Sequence, residues 1–120
     1  MIANANAYDE LMEFQRDTEA LGEVAGRLGW DQETMMPEGA SDQRAAEHAA
    51  MSKVLHARMT DPQIADWLER AKPAGAVAKA NLRHIRRNYE KTMKVPARLA
   101  AEIASTTSKA HRIWAGARRD

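Results

Sequence analysis

Apolar residues recur at alternating intervals of four and three along the first part of this 120-residue chain. Side chains three or four positions apart share one face of an α-helix, whereas a β-strand shows apolar residues at every second position. Strand-like alternation is not found in the sequence, so the chain is predicted to be all-α with antiparallel helices. The first helical face consists of Ala7, Leu11, Phe14, Thr18, Leu21, Ala25 and Leu28.

Capping and breaking residues divide the rest of the chain into four further helices. Gly29 is a suitable terminator for the first helix, and Ser41 is a suitable N-cap for the second. Thr60-Asp61-Pro62 predicts a restart, since proline fits the first helical position, and Pro73 and Pro96 predict breaks. We expect an antiparallel bundle of about five helices, at residues 6–28, 41–59, 62–71, 76–93 and 97–118.

The composition predicts a thin core. The apolar fraction is 44%, but alanine, which favours helices and buries little surface, makes up much of it. We therefore expect a single domain over residues 1–120 that needs a partner, either a second copy or the remainder of a longer polypeptide. The helical pattern runs unbroken to the last residues, which favours a fragment. The last helix is expected to pack through Leu99, Ile103, Thr106, Ala110, Ile113 or Trp114, and Ala117.

Charge and composition exclude several classes of protein. The chain has no cysteine, a formal charge of +1, no membrane-length apolar run and no secretory signal pattern at its start. These features fit a cytoplasmic protein that binds neither membrane nor nucleic acid. One basic run on the fourth helix could contact phosphates, but a solvated face is the more common structure. The run consists of Lys79, Arg83, Arg86, Arg87, Lys91 and Lys94.

Catalytic and metal-binding patterns are not found in this sequence. Two histidines four positions apart on one helix can share a zinc ion, but His48, His56, His84 and His111 lack this spacing. Asp31 and Glu33 could in principle act as an acid–base pair, yet no nucleophile or oxyanion donor accompanies them. We therefore predict no catalytic residue, no metal ligand and no cofactor within this chain.

The connector predicted after the first helix has an unusual composition. Trp30-Asp31-Gln32-Glu33-Thr34-Met35-Met36-Pro37 carries large apolar side chains where small polar turn residues are usual. Such a loop either plugs one end of the bundle or lines a groove. The candidate groove-lining or packing residues are Trp30, Asp31, Glu33, Thr34, Met36 and Pro37.

Three sequence blocks in order resemble the carboxypeptidase Taq family of zinc metallocarboxypeptidases. The first is the octet at residues 30–37, and the second is Thr60-Asp61-Pro62. The third is Asn81-Leu82-Arg83-His84-Ile85-Arg86-Arg87-Asn88-Tyr89-Glu90-Lys91, followed by Lys94-Val95-Pro96. It is similar to the family's Leu-Arg-x-Ile-Arg-Arg-x-Tyr-Glu block and Val-Pro. Glu38 departs from the pattern, because many relatives carry a second proline there. The likeness extends from about Tyr8 to Arg118.

This resemblance implies the N-terminal part of a larger helical metallopeptidase that removes C-terminal residues from peptides. Family members are commonly homodimers, and their zinc sits on a His-Glu-x-x-His helix. None of those ligands has a counterpart in this chain, so zinc and the peptide substrate belong to the parent enzyme. The octet would pack near the interior of the parent's peptide-binding groove. The alternative is a stand-alone helical module that dimerises through alanine-rich faces and has no enzymatic activity.

Overall fold

The structure, a computed structural model, describes residues 6–120, and residues 1–5 of the predicted domain lie outside this range. The described range contains five α-helices and no β-strand, which confirms the all-α fold. The helices are α1 (Ala7–Thr34), α2 (Ser41–Met59), α3 (Pro62–Arg70), α4 (Ala76–Met93) and α5 (Ala97–Arg119). A short 3₁₀ turn, Glu38–Ala40, precedes α2.

Local sequence explains most helix boundaries. The Asn6 side chain accepts a 2.8 Å hydrogen bond from the Asp9 amide at the start of α1. Asp61 caps α3 in the same way through the Gln63 amide, with Pro62 at the first helical position. Gly75 precedes α4 with a φ of 92°, a left-handed conformation that glycine adopts without steric cost.

The first helix is longer than predicted. It runs through Gly29 and ends at Thr34 instead of near Leu28, so the prediction of a loop at residues 30–34 was wrong. Neighbouring elements hold the extra turns in place, because Arg44 of α2 donates a 2.7 Å hydrogen bond to the Leu28 carbonyl. Helix α1 stops just before Met36-Pro37, where proline disfavours helical geometry in the preceding residue.

Ser41 does not act as the predicted N-cap of α2. It is already helical, and its hydroxyl donates a 2.9 Å hydrogen bond to the Glu38 carbonyl. The 3₁₀ turn Glu38–Ala40 supplies the entry to α2 instead, and it leaves no side-chain cap. The bounds of α2, α3, α4 and α5 otherwise lie within one residue of the predicted ones.

The helices form two adjoining packing units along an elongated molecule. Helix α1 packs against α2 and α3, and α3 packs against α4. Helix α5 packs most extensively on α2. His56 of α2 contacts Val95 just before α5, whereas His48 lies near Ser108 through Gln32, so α5 runs antiparallel to α2. Helix α1 is also antiparallel to α2, because Arg44 reaches Asp31 and Arg58 reaches Phe14, and α1 and α5 therefore run in the same direction. The extents are 59 × 28 × 26 Å, and the radius of gyration is 17.8 Å. A compact chain of this length would have about 14 Å.

The main core lies between α1, α3 and α4. Leu11 and Ile64 are fully buried, and the rings of Phe14 and Trp67 meet with centroids 5.3 Å apart. Buried polar groups in this region have partners, since the Trp67 indole donates a 2.9 Å hydrogen bond to Glu10. On α4, Ala78 is buried, whereas its neighbour Val77 is exposed. This core joins α1 to α3 and does not extend along the whole molecule.

The predicted packing face of α5 was wrong. Ala101 and Ser108 are buried against the rest of the structure, whereas four large apolar residues of the predicted stripe face outward. Small residues occupy the buried side of α5 because two helices can approach most closely where side chains are short. The outward residues are Leu99, Ile103, Ile113 and Trp114.

Among residues 6–120, no helix is both long enough and apolar enough to cross a bilayer.

Candidate functional site

The predicted octet lies at the far end of α1, where α1, α2 and α5 meet. Its candidate residues do not converge on one point. Trp30 is 63% exposed, and Glu33, Thr34 and Pro37 are exposed as well. Asp31 and Met36 are half-buried. Helix α1 spreads Trp30, Asp31, Glu33 and Thr34 around its circumference, and Met36 and Pro37 follow its end.

Arg44 holds this end of α1 against α2. Its guanidinium lies 2.6 Å from the Asp31 carboxylate and 2.9 Å from Glu47, and it also reaches the Leu28 carbonyl. The Arg44 side chain is largely buried between these acceptors. The hydrogen bonds that Arg44 donates to Asp31 and, second, to Glu47 raise the pKa of Arg44 above its ordinary value. Asp31 thus helps to hold the end of α1 against α2.

Gln32 connects all three helices through its side-chain amide. The amide nitrogen donates to the Ser108 carbonyl at 3.0 Å and to the Ser108 hydroxyl at 3.1 Å. The amide oxygen lies 3.1 Å from Nε2 of His48, which fits a neutral imidazole that donates from this nitrogen. Sequence reasoning missed this network, because residues 76 positions apart meet only in the folded chain.

Burial lowers the pKa of His48 below its ordinary value, and the Arg44 cation lowers it further. Glu47 acts in the opposite direction but does not cancel these effects. A neutral His48 is therefore the form that the folded protein favours.

A groove runs between the end of α1 and α5. One cavity of about 330 Å³ is lined mainly by polar side chains, among them Gln32, His48 and Ser108. A second cavity of about 360 Å³ adjoins it, with Met36 and Trp114 on its wall. Both cavities include Gln32, Glu33 and His111. Of the six candidate residues, Glu33 and Met36 line this space, and the other four, Trp30, Asp31, Thr34 and Pro37, do not.

The described residues do not fit a zinc ion. Between residues 6 and 120, no group of three or more His, Asp or Glu side chains lies close enough to hold a metal. His48 is hydrogen-bonded to Gln32, and the Nε2 atom of His56 contacts the Val95 carbonyl. Each ring could ligate a metal only through its other nitrogen, and the described residues place no second and third ligand beside it.

The sequence model of the family described as "Carboxypeptidase Taq (M32) metallopeptidase" matches residues 10–120. This match covers nearly the whole chain. The chain belongs to the carboxypeptidase Taq family. The blocks at residues 30–37, 60–62 and 81–96 therefore mark membership of a metallopeptidase family, although the described part of the chain supplies no metal site of its own.

One curated relative shows how much of a family protein this chain represents. It is similar to thermostable carboxypeptidase 1 of Thermus thermophilus, with 41% identity over 118 residues. The match covers 93% of this chain and 23% of the relative. The chain thus spans about a quarter of the length of this carboxypeptidase Taq relative.

Proposed function

We propose that this chain is the N-terminal helical domain of a zinc-dependent metallocarboxypeptidase, and that the parent releases C-terminal amino acids from peptides in the cytoplasm. The family match over residues 10–120 supports this proposal. The chain also aligns with only 23% of the length of a relative named as a carboxypeptidase, as expected for one domain of a longer enzyme. In this proposal the domain is inactive alone, and the remaining polypeptide supplies the zinc and the catalytic base.

The groove between α1 and α5 is the part of this domain that we propose to face the parent's peptide-binding site. Met36 and Trp114 offer an apolar wall, and Arg112 and Glu33 lie at the same cavity. A wall of this kind fits the side chains of a peptide, because ligand sites combine an apolar surface with a few polar groups. Arg44 and Gln32 would serve as positioning residues, since they fix α1 relative to α2 and α5.

The exposed face of α5 is proposed to contact the remainder of the parent polypeptide. Trp114 is 55% exposed and Ile113 is 68% exposed, and Ile103 and Leu99 continue the same apolar surface. Permanent interfaces are more apolar than transient ones, so an attached domain is a better fit than a passing partner.

The alternative, a stand-alone module that dimerises through alanine-rich faces, has less support. Ala45 of α2 and Ala101 of α5 are buried within a single copy, where α2 and α5 pack on each other. These alanines are therefore not free to form an interface with a second copy.

The gene provides the decisive test. We expect the reading frame to continue beyond codon 120 into a His-Glu-x-x-His motif, and the longer protein to release C-terminal residues in a chelator-sensitive way. The 120-residue chain, purified in parallel, should bind no zinc stoichiometrically and release no amino acid. A reading frame that stops at codon 120, or one tightly bound zinc in the isolated chain, would contradict the proposal.

Within the longer protein, Met36→Ser should raise KM for a peptide with an apolar end, while Trp30→Ser should have a smaller effect. Met36 lines the cavity and Trp30 does not, so the pair forms a matched control. An unchanged KM in the Met36 variant would refute the groove proposal and would leave the assignment of the parent as a peptidase standing.

A further inference from the structure

Within residues 6–120, helices α1 and α5 are joined mainly through one side chain. Helix α5 packs extensively on α2 but makes little direct contact with α1. Gln32 of α1 spans the gap, because its amide nitrogen donates to both the carbonyl and the hydroxyl of Ser108. A further link, from Arg119 to Glu38, joins two exposed side chains, and such ion pairs contribute little. We call the Gln32–Ser108 hydrogen bonds, together with the hydrogen bond between His48 and Gln32, the α1–α5 latch.

His48 of α2 lies under this latch and is covered by both helices. Its Nε2 atom is 3.1 Å from the amide oxygen of Gln32. The polar cavity of about 330 Å³ beside it is lined by Gly29 and Gln32 of α1 and by Ser108 of α5. Ala104 of α5 lines both of the cavities that reach His48. Separation of α1 from α5 would therefore bring water to the imidazole, even with α5 still packed on α2.

The charged groups of α1 and α2 around His48 do not favour a second cation there. Arg44 precedes His48 by one helical turn, and its guanidinium is paired with Asp31 at 2.6 Å and with Glu47 at 2.9 Å. Glu33 lines the same cavity as His48 but is exposed, so water screens its charge. The neighbouring carboxylates are thus either paired with Arg44 or solvated, and the Arg44 cation opposes a proton on His48.

Two further histidines lie on the surfaces that meet at His48. His111 lines the α5 side of the same polar cavity. A proton on both imidazoles would place like charges on the α2 and α5 sides of one small space. His56, about two turns further along α2, lines the second cavity with His48, and its Nε2 atom contacts the Val95 carbonyl just before α5. His56 therefore holds the beginning of α5, away from the latch.

We propose that the α1–α5 latch is a pH-sensitive switch, which is closed while His48 is neutral and opens when His48 takes up a proton. In the closed state the Nε2–H group of the neutral imidazole donates to the Gln32 amide oxygen. In the open state the added proton sits on Nδ1, where water can accept its hydrogen bond. The groove between α1 and α5 widens as a result, and α5 stays packed on α2. The switch does not depend on the proposed function, because every group in it belongs to this chain.

The direction of the switch follows from the difference in proton affinity between the two states. Burial, and then the Arg44 cation, lowers the pKa of His48 in the closed state, and Glu47 opposes this effect only in part. Opening removes the burial, so the open state binds a proton more tightly than the closed state. The closed state is therefore favoured above the ordinary histidine pKa of about 6.5 and loses population to the open state as the pH falls below it.

Distances between spin labels on the 120-residue chain test the switch. The chain has no cysteine, so labels attach only at introduced ones. Arg27→Cys on α1 with Lys109→Cys on α5 gives a pair of exposed labels across the latch. Pulsed electron paramagnetic resonance should show a longer α1–α5 distance whose population rises roughly threefold or more between about pH 7.5 and about pH 5.5. Lys53→Cys on α2 with Glu102→Cys on α5, also exposed, is the control pair, and its distance should stay constant.

Three variants of the α1–α5 label pair assign the effect to the latch. His48→Gln can still donate to Gln32 but cannot take up a proton, so its distance should stay short at both pH values. Gln32→Ala removes the link to Ser108 and should show the longer distance even at about pH 7.5. His84→Gln replaces an exposed histidine of α4 that lines neither cavity at His48, and it should keep the pH response. Circular dichroism at each pH checks that every variant is still helical.

An α1–α5 distance that is the same at both pH values would overturn the proposal. So would a His48→Gln variant that lengthens as the unsubstituted pair does, because another group would then be the switch. A short distance in Gln32→Ala at both pH values would show that the latch does not hold α5 to α1. Separation of the α2–α5 control pair would mean general unfolding and would equally contradict the switch. Because none of these measurements uses peptidase activity, their failure is distinguishable from failure of the proposed function.

Discussion

The carboxylate of Asp31 lies 2.6 Å from the guanidinium of Arg44 and joins the last turns of α1 to the start of α2. The same guanidinium donates to the Leu28 carbonyl, so a single side chain holds both the backbone and a side chain of α1. This contact stabilises the helical conformation of residues 30–34, although their sequence favours a loop. It also fixes one wall of the groove between α1 and α5.

Replacing Arg44 should loosen the end of α1. Arg44→Ala removes charge-assisted hydrogen bonds from a largely buried site, which should cost about 2 kcal/mol of unfolding free energy. Amide hydrogen exchange at residues 29–34 should speed up more than exchange elsewhere in α1. Arg27→Ala, at an exposed position of the same helix, is the control and should change stability by less than about 0.5 kcal/mol. Equal effects of the two variants in urea unfolding would refute this role for Arg44.

Truncation of Leu11 should destabilise the chain more than any surface change. Leu11 is 0% exposed among Ile64, Trp67 and Leu68, so Leu11→Ala leaves a cavity and should cost about 2–5 kcal/mol. Val77→Ala is the control, because Val77 is 76% exposed and loses little packing. Urea denaturation of both variants measures the difference. A similar loss in both would mean that the core lies elsewhere.

Two glycine substitutions should change the stability of the chain in opposite directions. Gly75 has a φ of 92° and a ψ of 174°, a region essentially restricted to glycine, so Gly75→Ala should destabilise by about 1–3 kcal/mol. Gly26 lies within α1 with no atom near an added Cβ, and Gly26→Ala should stabilise by about 0.5–1 kcal/mol. Thermal unfolding of both variants checks the prediction. A stabilising effect at Gly75 would contradict the geometry of the turn before α4.

Stability should fall as the pH drops below the ordinary pKa of histidine, about 6.5. The pKa of His48 is lower in the folded chain than in the unfolded chain, so the unfolded state binds more protons in this range. The contribution of His48 to the unfolding free energy is fully present above pH 6.5 and is lost as the pH falls toward the lowered folded pKa. His48→Gln should reduce this dependence between pH 5.5 and 7.5. An identical pH profile in both proteins would exclude His48 as the cause.

Much of the fold was predictable because it depends on local signals. The apolar spacing of α1 predicted its inner face correctly, and Leu11 and Thr18 are buried as that spacing requires. Asp61-Pro62 fixed the start of α3, since capping and proline geometry act within one turn. The resemblance of three sequence blocks likewise indicated the family, because such blocks can be read from the sequence alone.

The sequence by itself determined which segments are helical, because periodicity and capping are properties of neighbouring residues. Only the tertiary structure decided where α1 ends and which side of α5 is buried. Gly29 favours a helix end, but the distant Arg44 and Ser108 supply hydrogen bonds that extend the helix beyond it. On α5, close approach to α2 favours the small residues Ala101 and Ser108 over the larger apolar stripe. Such choices depend on which surfaces meet, and a pattern within one helix carries no information about its neighbours.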